Sequence, residues 1–216
     1  MTLISEVSDT VEKWLKVQTL WTNLVSVFTS GDIAKQMPTE SKKFKQIDRL
    51  WLKIMERAND NRNVIKQCSD DFLKSQLPSL KDGLDLCQRK LEDYLETKRG
   101  VFPRFYFCSD DVLLKILSVG SDPHAVQDDF ENFFEAINKV AFDEQDRKLI
   151  VDIRSVMGSS EEAIQLVDPV KAEGNIEEWL CRLEGEMKRS MRGICARGAR
   201  DCFSLSLREF IDSCPA

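Results

Sequence analysis

Seven cysteines, at positions 68, 87, 108, 181, 195, 202 and 214, and a single histidine, His124, are the residues of this 216-residue chain best suited to metal or redox chemistry. Their spacing argues against it. A structural zinc site takes four ligands, delivered as short-range pairs, and no two cysteines here stand as C-x-x-C. The odd count leaves at least one thiol outside any pairing, so reduced, mostly buried cysteines of a cytoplasmic chain are expected. His124 has no catalytic partner pattern and is expected on the exposed first turn of a helix. Asp110 and Asp111 are better explained as charges at a helix start than as an acid/base pair. Adjacent positions on a helix do not face each other across a cleft. No G-x-x-x-x-G-K-[ST] phosphate cradle, G-x-G-x-x-G, H-E-x-x-H or G-x-S-x-G occurs. No catalytic residue, cofactor-binding residue or metal ligand is expected within this chain.

The densest group of side chains with a specific chemistry is aromatic: Phe102, Pro103, Arg104, Phe105, Tyr106 and Phe107. Aromatic clusters are ordinarily core packing. This one stands at a helix stop marked several times over. Lys98 and Arg99 place positive charge in the last turn, Gly100 is suited to a left-handed cap, and Pro103 pushes Phe102 toward an extended conformation. Phe105, Tyr106 and Phe107 favour strand-like geometry, which predicts a short extended segment before a helix that starts near Ser109. Arg104 is placed to stack on a ring or to bond the carbonyls at the helix end.

The elements that must position this break are mostly helical. Trp14, Val17, Trp21, Leu24 and Phe28 recur at helical spacing over residues 9–28, with both tryptophans expected on the buried face. Phe44, Ile47, Trp51, Ile54 and Ala58 do the same over 39–58, entered at Pro38. Short helices are expected near 63–67 and 70–76. Leu77, Leu80, Leu84, Cys87, Leu91 and Tyr94 then form a coiled-coil-like seam along a helix over 77–99. Asp122 and Pro123 start another, carrying Val126, Phe130, Phe133 and Ile137 inward. The period changes to two over 139–142, 149–157 and 162–167, with Leu149, Val151, Ile153 and Met157 on one face. This predicts a β-hairpin over about 139–167, with or without a third strand, turning at 158–160 and laid against a helix. Asn175 opens a capping-box-like start to a helix burying Ile176, Leu180, Leu183, Met187 and Ile194, with Trp179 flanking. A last helix is expected near 206–213, and its unfinished pattern suggests a piece of a longer chain.

The fold class expected is mainly α: an elongated helical-bundle segment with a small inserted β-hairpin. Residues 1–100 form a first helical part, and residues 101–216 a second that holds the aromatic break, the hairpin and the last helices. A net charge of −6 argues against nucleic acid and acidic membrane as partners, and no apolar run is long enough to span a bilayer. Two basic stretches stand out locally. Lys42, Lys43 and Lys45 read as a solvated face. Lys188, Arg189, Arg192, Arg197 and Arg200 read as a solvated helix end or as a contact for an acidic partner.

Four stretches, in order, resemble the linker region of dynein heavy chains. They are Trp14-Leu-Lys-Val-Gln-Thr-Leu-Trp21, Val27-Phe-Thr-Ser-Gly-Asp-Ile-Ala-Lys-Gln-Met-Pro38, the string from Leu91 through Phe-Pro-Arg-Phe-Tyr-Phe to Leu117, and Pro169-Val-Lys-Ala-Glu-Gly-Asn-Ile-Glu-Glu-Trp-Leu180. The second is similar to the axonemal outer-arm type in particular. Cys108 and Lys115 depart from the residues usual in the family. The resemblance implies a lever attached to an AAA+ ring, in which ATP and Mg do the chemistry. It also implies movement along microtubules, light and intermediate chains bound through other regions, and a place in the cytoplasm on the cytoskeleton of a cilium or flagellum axoneme. The alternative on residues alone is a non-motor helical scaffold or adaptor that binds a partner helix.

Overall fold

The computed structural model describes residues 2–29, 32–157 and 160–213. It is mainly α-helical with one small antiparallel sheet, as the periodicities predict. The chain divides into two compact units, each taken separately: residues 1–98 with 110–119, and residues 99–109 with 120–216.

The first unit begins with α1 (Thr2–Thr29), α2 (Asp32–Gln36) and α3 (Pro38–Asp60), followed by α4 (Val64–Cys68) and α5 (Asp71–Val101). The stripes on α1 and α3 meet each other. Phe28 stacks on Phe44 at 5.4 Å, and Trp14 and Trp21 each lie 6.5 Å from Trp51. The burial is shared differently from expectation. Trp51 is fully buried, whereas Trp21 is half-buried, because its Nε1 donates to Asp48 Oδ1 (2.9 Å) near the surface. Pro38 occupies the first turn of α3. The connector residues 30–31 lie outside the described residues.

The two helices expected over 70–76 and 77–99 are one. Helix α5 runs through Pro78, whose ring is exposed, while Leu73, Leu77, Leu80 and Leu84 hold the helix on its buried side. A proline costs a helix one hydrogen bond, and packing on both sides of the gap outweighs that loss. The seam continues through Cys87 and Leu91 to Leu95, with Tyr94 half-buried and its hydroxyl donating to Gln36 Oε1 (2.7 Å). Gly83 has a packing role that its low helix propensity hides. A Cβ there would lie 2.8 Å from Ile47 Cδ1, so the glycine admits that side chain. Helix α6 (Asp110–Ser118) completes the unit with Leu113, Ile116 and Leu117 buried.

The second unit holds α7 (Pro123–Gln127), a 3-10 turn Phe130–Asn132, strands β1 (Lys139–Phe142), β2 (Leu149–Met157) and β3 (Ser160–Lys171), then α8 (Ile176–Ser204) and α9 (Leu207–Ser213). Asp122 caps α7 by accepting from His124 N (3.1 Å). The one helix expected to carry Val126, Phe130, Phe133 and Ile137 is instead α7 and a 3-10 turn, with Ile137 only half-buried. The hairpin is a three-stranded antiparallel sheet in the order β1-β2-β3, and β3 extends past Pro169 to Lys171. The turn residues 158–159 lie outside the described residues. A register shift between Ile150 and Asp152 breaks the expected alternation of β2. Ile150 and Ile153 are buried, and Leu149 and Val151 are half-buried, because a bulge moves the side chains to the other face.

Each sheet edge is covered in part, which reduces the hazard of unpaired strand N–H groups. Gln127 Oε1 accepts from Val140 N (3.0 Å) at β1. On β3, Ser190 Oγ accepts from Val167 N (3.0 Å) and Glu186 Oε1 from Asp168 N (2.9 Å). Helix α8 therefore lies against β3, with Ile176, Trp179, Leu180 and Leu183 buried. Trp179 is core and not flanking. Ile194, expected inside, is 39% exposed because the cover of α8 ends near Ser190. Asn175 stands at the N-cap, but its Nδ2 donates to Glu178 Oε1 (3.0 Å), so no reciprocal capping box forms.

Candidate functional site

The aromatic break is a 3-10 helix, Pro103–Phe107, and not the extended segment that the β-propensity of its residues predicts. Phe102 at its entrance is extended (φ −120°, ψ 91°), the conformation that the following proline imposes, and Cys108 at its exit is extended too. Phe102 ends α5 without a left-handed glycine. Gly100 is helical, and among the described residues only Gly174 has a positive φ. One bond closes each end of the turn: Phe105 N donates to Phe102 O (3.0 Å) and Cys108 N to Phe105 O (3.1 Å).

The three-residue period then sorts the side chains. In a 3-10 helix, residues i and i+3 eclipse, so Phe102, Phe105 and Cys108 share one face, and all three are buried. Tyr106 and Phe107 fall on the other side, 56% and 75% exposed. The inward rings meet three more. Phe102 lies 4.9 Å from Phe105, 6.0 Å from Phe133 and 6.3 Å from Phe134, and Phe130 lies 5.4 Å from Phe133. These pairs are edge-to-face, the arrangement that the ring quadrupoles favour. Phe134 is the member that periodicity misses. The signal was the spacing of Phe130 and Phe133, which is three residues and fits the second 3-10 turn as well as a helix.

Two arginines hold the break. Arg104 stacks as expected, its Cζ 5.1 Å from the centre of the Phe134 ring. It bonds Glu184 Oε1 (3.1 Å) and Phe133 O (3.4 Å), and not the end of α5. The bonds to the end of the break itself come from Arg99, which donates to Phe105 O (3.4 Å) and Cys108 O (3.1 Å). The charge in the last turn of α5 therefore reaches forward over the turn that follows. Lys98 is buried, with Nζ 5.1 Å from the Tyr94 ring centre. Glu184 also receives Lys188 Nζ (2.7 Å). That ammonium first, and the Arg104 guanidinium beside it, hold the Glu184 carboxyl below the usual carboxylate range.

The residues suited to chemistry are dispersed. Cys68, Cys87 and Cys108 are buried, and burial pushes their thiols up. Cys181 is half-buried and donates to Val101 O (3.2 Å), and burial raises its thiol too. Cys195 and Cys202 are exposed, against the expectation of burial, because they lie on the uncovered half of α8. Cys214 lies outside the described residues. His124 is exposed, its Nε2 donating to Arg147 O (2.9 Å) and its ring 4.0 Å from that of Phe142. Asp110 and Asp111 are exposed first-turn residues of α6. Among the described residues, no three His, Cys, Asp or Glu side chains gather as metal ligands, and no helix is long and apolar enough to cross a membrane. What the break offers is a turn with a packed inner face and an outer face bearing two aromatic rings.

Residues 2–198 fit the family described as dynein heavy chain, N-terminal region 2. The chain belongs to that family, as its motifs suggest. It is 43% identical over 216 residues to dynein axonemal heavy chain 5 of Rattus norvegicus, covering 99% of this chain and 6% of the relative. Dynein axonemal heavy chain 8 of Mus musculus is 44% identical over 192 residues, 88% of this chain and 4% of its own length. The flagellar outer arm dynein gamma chain of Chlamydomonas reinhardtii is 37% identical over 215 residues, 99% and 5% respectively. The chain thus spans 6% or less of these relatives.

Proposed function

We propose that residues 1–216 are part of the mechanical linker of an axonemal dynein heavy chain, the lever that converts ATP-driven changes of the AAA+ ring into movement along microtubules. One observation carries this reading. The chain leaves the first compact unit after Lys98 and returns to it at Asp110, and the intervening residues are the aromatic break. A lever needs its connections stiff, and close-packed interiors transmit strain. Five rings, Arg99 and Arg104 fix this connection within the second unit. In this reading Phe102 and Phe105 anchor the turn, Pro103 sets its start, and Arg104 ties it to α8, while Tyr106 and Phe107 form its outer surface.

ATP and Mg belong to the ring, elsewhere on the heavy chain, as do the contacts with microtubules and with light and intermediate chains. This segment binds no nucleotide, and calorimetric titration of the 216-residue chain with MgATP is expected to give no stoichiometric heat. The relatives' axonemal and flagellar names support a place in the cytoskeleton of a cilium or flagellum.

The decisive experiment compares gliding velocity with ATPase rate in a heavy chain carrying Phe105→Ala or Arg104→Ala that remains folded. Velocity is expected to fall more than ATP turnover, because the ring is untouched. Equal losses would give the segment a direct part in the ring's cycle. No loss in either would reduce the aromatic break to ordinary core and favour a passive scaffold.

A further inference from the structure

Helix α8 is amphipathic for longer than it is covered. Ile176, Leu180, Leu183 and Met187 step by four, three and four along the side packed against β3. The same stepping continues through Met191, Ile194 and Gly198, which at 100° per residue fall on the same side of the helix, until the exposed Asp201 brings a carboxylate onto that side. The cover stops where Ser190 meets Val167. Beyond it Met191 is 43% exposed, Ile194 is 39% exposed, and Cys195 and Cys202 are exposed. A Cβ at Gly198 would meet nothing within 4 Å, so the stripe is open there to close approach by another backbone. A contiguous apolar stripe on a helix in water marks an interaction surface.

Its flanks state what fits it. Residues 188–200 contain five basic side chains and no acidic one. Lys188 is paired with Glu184, and Arg189 with Asp168 and Glu186. Among the described residues, Arg192 and Arg197 have no acidic partner, and on the helical projection they lie to either side of the stripe. We propose that the uncovered half of α8 seats an acidic amphipathic helix supplied by the remainder of the dynein heavy chain, of which the relatives carry far more than this chain spans. Its apolar face would lie along Met191, Ile194 and Gly198, stopping short of Asp201, with carboxylates on Arg192 and Arg197. The match is one of helix-in-groove recognition with complementary charge at the rim. This surface does not depend on the lever reading, since a scaffold would use it in the same way.

The test has two parts. The 216-residue chain is titrated with a labelled, leucine-striped, glutamate-flanked helical peptide, with its lysine-flanked counterpart, and with phosphatidylserine vesicles. The acidic peptide is expected to bind saturably. The pair Arg192→Glu and Arg197→Glu, and separately Ile194→Asp, should each weaken it about tenfold or more, while Arg200→Glu, away from the stripe, has little effect. All these side chains are exposed, so the fold should tolerate the changes. Equal binding of the lysine peptide, binding to vesicles alone, or indifference to Ile194→Asp would overturn the proposal. So would self-association of the chain that Ile194→Asp abolishes, since the occupant would then be a second copy. In the full heavy chain, a photo-crosslinker at position 198 should join a Glu/Asp-rich helix of the same polypeptide. A crosslink to another subunit, or none, refutes that source.

Discussion

Trp51 and Trp21 lie 6.5 Å apart and should differ sharply in what they contribute. Trp51 is fully buried between the α1 tryptophans, so Trp51→Ala removes a whole ring from a packed site and leaves a cavity. A loss of about 3–5 kcal/mol is expected. Trp21 is half-buried and hydrogen-bonded to Asp48, so Trp21→Ala should cost distinctly less. Urea denaturation of both variants measures the difference. Similar losses would mean that the two rings are equally enclosed. The contrast is invisible in the stripe, because both residues obey the same helical spacing, and only the indole N–H facing Asp48 separates them.

Helix α8 is the element with the most to hold at once: a sheet edge, the aromatic break and an open stripe. Its link to the break runs through Glu184, held by Lys188 and Arg104. Both lower the carboxyl below its ordinary value, so the ionised form is favoured in the folded state. The sign follows from linkage. The contribution is fully present above the unfolded carboxylate value of about 4.3 and is lost as pH falls through the lower folded value. Glu184→Gln is therefore expected to destabilise the chain near neutrality and to flatten its loss of stability below about pH 4. Denaturation midpoints across that range test it. An unchanged acid slope would assign the acid sensitivity to other carboxylates. The pair is partly exposed, at 35% for Arg104 and 20% for Glu184, so solvent screens it and its effect should be modest.

At the scale of the whole molecule, cysteines report on the two units separately. Cys68 and Cys87 belong to the first unit and Cys108 to the second, all buried, whereas Cys195 and Cys202 are exposed. A thiol reagent should label Cys195 and Cys202 at once and the buried three only through opening of the structure. Phe105→Ala loosens the face that Cys108 shares, so it should speed Cys108 labelling while leaving Cys68 and Cys87 slow. Mass spectrometry of the labelled peptides gives each rate. If all three accelerate together, the units open as one body.

The sequence by itself determined most of the helices and their apolar stripes, the passage to a period of two at about residues 139–167, and the family. These rest on local spacing and on strings of residue types, which the chain carries wherever it folds. Tertiary structure decided what spacing leaves open. Phe105, Tyr106 and Phe107 have the composition of a strand, yet they form a 3-10 turn. Phe102 and Phe105 are packed on one face against Phe133 and Phe134, and Arg99 binds the carbonyls of Phe105 and Cys108. Pro78 reads as a helix start, yet packing on either side of it carries α5 through. In β2 a bulge exchanges one face for the other, and a periodicity of two cannot announce where it will slip. Ile194 belongs to the same stripe as Leu183, but only the length of the sheet decides which of them is covered. Propensity acts within a few residues. Burial depends on what the rest of the chain places opposite.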